Sequence, residues 1–379
     1  MNWLSDIDPA LRSRFEKNMD VIRDVYAFRN EKLPFIVNDV NYWLDGDDPA
    51  LIPGDYFSNP SSMTSYQMKK IEHHLRHFED AYIPVLHPWY GVGVVPTALG
   101  CQYEIPLGGD PALKTTVLQK PEDIRNLRKP DPYRDGFMPR VLEAIDYMVA
   151  ETPYPVCVTD TQGPLNIALS ICGVENLFVW MCMEPDLAHE IMKFCTEVLI
   201  DWIRVQKQHA GIEMDKGAWP HGIFLPEGFG GVYICDDDCA TISADLYQEF
   251  VVPYNSRVLL EFGGGTIHFC GTAVHQIDNF LLTGGLTGIN NFCMGNFEQI
   301  RQMQEKFGDK IALMVCDFAP VEFDQYIDSL LRILCPRGAI LAIFVASRFA
   351  LRNGSYTTIN RNAHHYASVI YDRLNKLLR

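Results

Sequence analysis

Short apolar runs alternate with longer amphipathic stretches along most of this chain. The amphipathic stretches have apolar residues at helical spacing, most regularly between residues 165 and 335. Alternating strands and helices over this length predict a parallel sheet covered by helices, and eight strands favour a closed barrel. The predicted strands are 33–37, 82–86, 155–159, 231–235, 266–269, 286–290, 311–315 and 339–345.

An open doubly wound sheet is the alternative to the barrel. Such a sheet favours a glycine-rich phosphate loop after an early strand, but the stretch 91–95, Gly-Val-Gly-Val-Val, lacks the third glycine and a following helix. We therefore predict an α/β fold, a (β/α)8 TIM barrel with an N-terminal helical extension. No linker or repeat divides the chain, so we expect a single domain over residues 1–379 with the extension in 1–32. Residues 38–65 are polar and aromatic and are expected to form a rim or lid.

Composition limits the kinds of partner. The chain has 379 residues, 47% of them hydrophobic, and a net charge of −16, which argues against nucleic acid or an anionic membrane as a main partner. Its first residues are polar and no stretch approaches about 20 apolar residues, so a cytoplasmic protein is expected. The eleven cysteines then indicate reduced thiols or metal ligands, a pattern that also suits anaerobic metabolism.

The pair His268 and Cys270 is the most informative feature for chemistry. The two side chains lie at positions i and i+2 of a short strand and therefore point to the same side, where an imidazole and a thiolate can bind one zinc ion. The alternative is a hydrogen-bonded core histidine beside a buried thiol. Cys293 and Cys316 follow the next two strands and can complete the ligand set.

Other polar side chains follow strands and are expected at the same barrel mouth. Asp160, Asp236 and Asp237 are the predicted catalytic acids, and Gln162 and His87 are predicted to contact a cofactor. Acidic residues at strand ends also cap helices, which is the structural alternative. Cys235 and Cys239 flank the acidic run 236–238, but a lone Cys-x₃-Cys pair is weak support for a metal site.

The order of these motifs resembles the uroporphyrinogen decarboxylase superfamily from about residue 110 onward. The segment Ile267-His268-Phe269-Cys270-Gly271 is similar to the cobamide-dependent methyltransferase branch. The resemblance implies a barrel with zinc held by His268, Cys270 and a cysteine of the last strand. Residues 338–347 contain no cysteine, so either Cys316 or Cys293 takes that place or the metal site has degenerated. The motifs that carry the resemblance are 158–164, 234–238, 242–254 and 267–271.

The resemblance implies methyl transfer between a corrinoid, carried by a separate partner protein, and a thiol or another small methyl donor or acceptor. The alternatives are a decarboxylase-like enzyme acting on a tetrapyrrole or another carboxylated substrate, and a non-catalytic ligand-binding relative. A porphyrinogen needs arginines to hold its carboxylates, and no arginine occurs between Arg29 and Arg76. Methyl transfer is therefore the preferred function, and a homodimer is compatible with it.

Overall fold

In the computed structural model, six parallel strands form one continuous sheet in the order β1-β10-β9-β8-β7-β6. The structure describes Leu4 and residues 7–39, 53–105, 111–218, 224–345, 349–352, 355–358 and 363–377, so part of the predicted rim, residues 40–52, lies outside the described residues. The strands of the sheet are β1 (Phe35–Asp39), β6 (Val232–Cys235), β7 (Gly265–Cys270), β8 (Leu286–Phe292), β9 (Ala312–Phe318) and β10 (Ala339–Val345). The strands outside it are β2 (Tyr103–Glu104), β3 (Ala112–Leu113), β4 (Gly217–Ala218), β5 (Phe224–Leu225), β11 (Phe349–Arg352) and β12 (Ser355–Thr358).

Two irregular segments lie between β1 and β6. Leu86 forms an isolated parallel bridge with Val156, and Gln162 forms another with Cys235. The amide of Ala81 donates to the carbonyl of Phe35 in β1 at 3.0 Å. The predicted strands at 82–86 and 155–159 thus occupy the expected places in the ring but are not regular strands. Each segment contains a proline, Pro84 or Pro155, which cannot donate a hydrogen bond to a ladder.

Helices cover the outside of this ring and follow the strands in alternation. They lie in the amphipathic stretches of the sequence. Gly173, at φ 84°, separates α5 from α6. The α-helices are α1 (Pro9–Tyr26), α2 (Pro60–His77), α3 (Val94–Ala98), α4 (Met138–Glu151), α5 (Pro164–Cys172), α6 (Val174–Met183), α7 (Pro185–Ala210), α8 (Ala244–Phe250), α9 (Val252–Glu261), α10 (Ile277–Leu282), α11 (Phe297–Phe307), α12 (Phe323–Ile333) and α13 (Ala363–Leu377).

The core has two parts because side chains alternate across each strand. One set packs outward against the helices and includes Leu313, Val315 and Ile343. The other set fills the interior of the ring and includes Ile36 and Ala342. This inside-and-outside arrangement, together with the parallel strands, confirms the predicted α/β barrel fold class.

The N-terminal helix α1 closes the end of the ring where the strands begin. Asp8 starts this helix by accepting a hydrogen bond from the amide of Ala10 at 2.9 Å. Ile22 and Tyr26 belong to the interior part of the core, and the hydroxyl of Tyr26 lies 3.2 Å from Thr266 Oγ1 at the start of β7. The opposite end, where the strands finish, is consequently the end at which side chains can meet a ligand.

Among the described helices, no single one has both the length and the apolar composition needed to cross a membrane. Helices α5 and α6 meet these requirements only when taken together, and they are bent by 107° relative to each other.

Candidate metal centre at the carboxyl ends of the strands

The carboxyl ends of β6 and β7 bring Cys235 next to His268. The two residues are partners in the parallel ladder, and the amide of the following residue, Asp236, donates to the carbonyl of His268 at 2.7 Å. Cys235 is buried in the interior part of the core, and Cys270 packs against that same cluster. The strand pairing therefore directs an imidazole and two thiols toward one region of the barrel mouth.

Hydrogen bonding fixes the orientation of the buried His268 ring. Its Nδ1 is hydrogen-bonded to Oδ1 of Asn290, which is its ladder partner on β8. Its Nε2 lies 3.4 Å from Cys270 Sγ and 3.7 Å from Asp237 Oδ1. Burial lowers the pKa of His268 and favours the neutral imidazole, the form that binds metal ions. Nε2 is thus the nitrogen directed toward other potential ligands.

Within the part of the chain that the structure describes, one group of three side chains has the spacing of a metal site. Cys235, Asp237 and His268 each offer a donor atom, and these atoms lie within 4.8 Å of one another. Two of the residues are buried and Asp237 is half-buried. Sulfur, oxygen and imidazole nitrogen are all donors that zinc accepts in proteins, so the residues present fit a zinc ion.

The adjacent acids Asp236 and Asp237 point in different directions. Asp237 Oδ1 accepts a hydrogen bond from the amide of Cys270 at 2.7 Å and therefore belongs to the group. Asp236 is fully buried and accepts hydrogen bonds from the hydroxyl of Tyr247 and, at 2.8 Å, from Asn255 Nδ2. Burial raises the pKa of Asp236 to about 6. Asp236 thus anchors helices α8 and α9 behind the site through their side chains and makes no side-chain capping hydrogen bond.

Asp160 and Gln162 form a polar chain that ends at Cys235. Gln162 Nε2 donates to Asp160 Oδ2 at 2.6 Å, and the thiol of Cys235 lies 3.5 Å from Asp160 Oδ1. Asn166 Nδ2 extends the chain by donating to Gln162 Oε1 at 2.9 Å. Burial raises the pKa of Asp160 to about 6, with the hydrogen bond from Gln162 opposing it. The structure therefore places Asp160 beside the centre and Gln162 one contact farther away.

His87 lies at a strand end, as predicted, but its described contacts lead away from the metal centre. The backbone amide of His87 donates a hydrogen bond to Gln67 Oε1 at 3.0 Å, and its carbonyl accepts one from Gln67 Nε2 at 2.7 Å. Its ring packs edge-on against Trp89 at a centroid distance of 5.8 Å. A role of His87 in binding a cofactor stays a prediction.

The two further cysteines predicted to be metal ligands lie in different parts of the core. Cys316 faces the barrel interior, where its Sγ lies 2.8 Å from Asn290 Nδ2. Cys293 packs in the outer part of the core, and its thiol donates to Asp317 Oδ2 at 3.2 Å. The predicted pair His268 and Cys270 is brought together, whereas Cys293 is turned away from it because the chain has already left β8.

The sequence pattern gives only weak support for Cys235 as a site residue and none for Asn290. Both residues are ladder partners of His268, one on each side. Aligning the ends of consecutive parallel strands would have found them, because residues in register on neighbouring strands lie side by side. The acidic run after Cys235 drew attention to the pair Cys235 and Cys239, whose spacing alone says little about metal binding.

Comparisons with known proteins agree with this architecture. Residues 54–219 match the family described as uroporphyrinogen decarboxylase, so the similarity begins upstream of residue 110, where the motifs had suggested a start. The chain is 26% identical over 198 residues to the methylated-thiol–coenzyme M methyltransferase of Methanosarcina mazei. That alignment covers 51% of this chain and 48% of the relative, so the chain spans about half the length of the curated relative that it matches.

The fold itself is shared over nearly the whole chain. A solved methyltransferase structure from Methanosarcina mazei superimposes with a TM-score of 0.66 at 15% sequence identity, covering 95% of this chain and 99% of that one. These relatives are consistent with the corrinoid methyltransferase branch that the motif around His268 indicated. Residues 54–219 are thus similar to the uroporphyrinogen decarboxylase family, and the proteins that the chain resembles in sequence and in fold are named methyltransferases.

Proposed function

We propose that this protein is a zinc-dependent methyltransferase that moves a methyl group between a corrinoid, carried by a separate partner protein, and a thiol or another small methyl donor or acceptor. The observation that carries the proposal is the convergence of His268 and Cys270 with a further thiol and a carboxylate at the barrel mouth. The relative named a methylated-thiol–coenzyme M methyltransferase supports a thiol as the substrate class.

In this proposal His268 and Cys270 hold the zinc ion. A bound zinc ion would lower the pKa of a coordinated thiol, so that the thiolate nucleophile is available near neutral pH. Asn290 keeps Nε2 of His268 directed at the site by occupying Nδ1, which is the usual role of a group behind a metal-binding histidine. The further ligands proposed from sequence are Cys316, which faces the barrel interior, and Cys293, which packs in the outer part of the core.

The three acids then have separate roles. Asp237 lies beside His268 Nε2 and faces the position where a substrate thiol would enter. Asp160 contacts the thiol of Cys235 and orients it, with Gln162 holding the carboxylate in place. Asp236 supports the loop after β6 from behind through Tyr247 and Asn255. Only Asp237 and Asp160 are therefore proposed to act directly on the metal centre or the substrate.

The local environment favours a thiol chemistry over a porphyrinogen decarboxylation. A porphyrinogen carries several carboxylates and requires cationic partners. Here the carboxylates Asp160 and Asp236 are held by the neutral groups of Gln162, Tyr247 and Asn255, and they add negative potential to the mouth. An uncharged or weakly charged thiol meets a smaller electrostatic penalty in such a site.

The test is to purify the protein anaerobically, measure its zinc content, and follow methylcobalamin absorbance in the presence of a thiol panel that includes coenzyme M. We expect about one zinc per chain, the stoichiometry of a single mononuclear site, and thiol-dependent loss of methylcobalamin. His268→Ala should remove both zinc and activity. His209→Ala is the matched control, because His209 pairs with Asp146 at the surface.

Two results would overturn the proposal. One is a wild-type protein, prepared fresh and supplied with zinc, that binds none. The other is zinc-loaded protein that transfers no methyl group but decarboxylates a porphyrinogen, which would favour the decarboxylase-like alternative.

A further inference from the structure

We propose that Cys235 and Asp237, both from the β6 end, complete the metal site of this chain together with His268 and Cys270. The inference rests on the proposed function, because it names the ligands of the same zinc ion. It replaces both cysteines suggested from sequence, Cys316 and Cys293, with a thiol that lies on the other side of β7. The permanent ligand set would then contain one imidazole and two thiolates, and the Asp237 carboxylate would occupy the fourth position until a substrate thiol takes it.

Cys235 lies close to the side chains that surround the coordinating nitrogen of His268. Cys235, Asp237 and His268 are the three residues whose donor atoms lie within 4.8 Å of one another. Ladder pairing holds Cys235 beside His268, and the hydrogen bond from the amide of Cys270 holds Asp237 in the same place. Backbone contacts of β6 and β7 thus fix this arrangement, and it does not depend on a flexible loop.

Cys316 lies on the other side of the His268 ring from these ligands. An imidazole ring has two nitrogens that point to different sides. Asn290 occupies the Nδ1 side with Oδ1, and its Nδ2 lies 2.8 Å from Cys316 Sγ. Cys316 therefore lies behind Asn290 on the Nδ1 side, whereas Cys270 and Asp237 lie near Nε2. A metal ion bound to Nε2 would be separated from Cys316 by the ring and by the amide of Asn290.

Cys235 also has a hydrogen-bond donor beside its sulfur atom. The hydroxyl of Tyr233 lies 2.8 Å from Cys235 Sγ and can donate a hydrogen bond to a thiolate. Hydrogen bonds of this kind orient metal ligands and stabilise their negative charge. Cys235 is 5% exposed, so it is protected from solvent yet lies at the end of the strand that opens to the mouth. These features distinguish Cys235 from a thiol that only fills the core.

The test replaces zinc with cobalt(II) and measures the thiolate-to-cobalt charge-transfer absorbance of wild type, Cys235→Ser and Cys316→Ser. We expect Cys235→Ser to lose about half of this absorbance and to bind zinc more than about tenfold more weakly, since even ligand-supporting groups contribute 10–100-fold to affinity. Cys316→Ser should keep the two-thiolate spectrum. Cys239→Ser is the matched control, because Cys239 is a buried thiol of the same loop.

The outcomes separate this inference from the proposed function. Suppose that wild type binds zinc, that Cys316→Ser loses the charge-transfer intensity and that Cys235→Ser keeps it. The ligand assignment is then wrong, but the proposed zinc-dependent function is unaffected. If wild type binds no zinc, the proposed function itself fails. Should Cys235→Ser not fold, an anomalous difference map at the zinc edge from wild-type crystals decides. A peak between Cys235 and His268 supports the assignment, and a peak bonded to Cys316 contradicts it.

Discussion

At the scale of single residues, the chemistry of the site depends on which nitrogen of His268 faces the centre. Asn290 decides this through its hydrogen bond to Nδ1 and is itself fully buried. Nothing in the local sequence marks Asn290 as different from its neighbour Asn291. Asn291, however, faces outward and donates to the carbonyls of Phe269 and Gly271 at 3.1 Å. The alternation of side chains along β8 therefore gives two adjacent asparagines different functions.

Asn290→Leu is expected to weaken zinc binding by about 10–100-fold, because it removes the group that orients the metal-binding ring. Asn290→Asp keeps an acceptor for Nδ1 and should weaken binding much less. Competition with a chromophoric chelator measures both affinities, and thermal unfolding shows whether the two variants remain folded. Equal zinc affinity in wild type and the folded Asn290→Leu variant would show that His268 is not oriented through Asn290.

At the scale of elements, the close approach of β6 and β7 brings the ligands together. A Cβ atom added to Gly265 would lie 2.1 Å from the carbonyl oxygen of Val232, so only glycine permits this pairing. The ladder that starts at Val232 and Gly265 ends at Cys235 and His268. A sterically demanding residue at the start of β7 would therefore disturb the metal centre at its other end.

Gly265→Ala is expected to destabilise the protein by about 3 kcal/mol or more, as backbone overpacking in a core does. It should also lower zinc affinity, because the two strands move apart. Gly54→Ala is the control, since no atom lies within 4 Å of the added Cβ. Chemical denaturation under reducing conditions measures the free energy of unfolding. A folded Gly265→Ala variant with unchanged stability would mean that the strands are not as close as described.

At the scale of the whole molecule, helix α1 closes the barrel at the end opposite the site. Asn18 Nδ2 donates to the carbonyls of Asp80 and Tyr82 at 2.9 and 2.8 Å, which ties α1 to the irregular segment beside β1. The ring of Tyr26 packs against Phe229 at a centroid distance of 5.5 Å. The N-terminal extension predicted over residues 1–32 is thus part of the barrel core in its helical portion.

Tyr26→Ala should destabilise the whole barrel by about 3–5 kcal/mol, the usual cost of removing a large aromatic side chain from a core. Tyr133→Ala is the control, because the Tyr133 side chain is 63% exposed, and it should change stability by less than about 0.5 kcal/mol. Denaturant unfolding compares the two variants with wild type. If both substitutions had the same small effect, α1 would not contribute to the core.

How far the sequence predicted this structure differs between elements. The run 311–315 became β9 because consecutive apolar residues suit a strand buried on both faces. The runs at 82–86 and 155–159 were correctly placed but did not form regular strands, since prolines interrupt their ladders. The amphipathic stretch that begins at residue 165 is divided at Gly173, whose φ of 84° a helix cannot contain.

The alternation of strands and helices, the fold class, and the pairing of His268 with Cys270 can all be predicted from the sequence. These features depend on residues that are close in the chain, and periodicity or spacing reports them directly. Only the tertiary structure decided that Cys235 and Asn290 flank His268, that Cys293 is turned away, and that Asp236 and Asp237 face different ways. The physical reason is register, since neighbouring strands place residues side by side that are 22 to 33 positions apart in the chain.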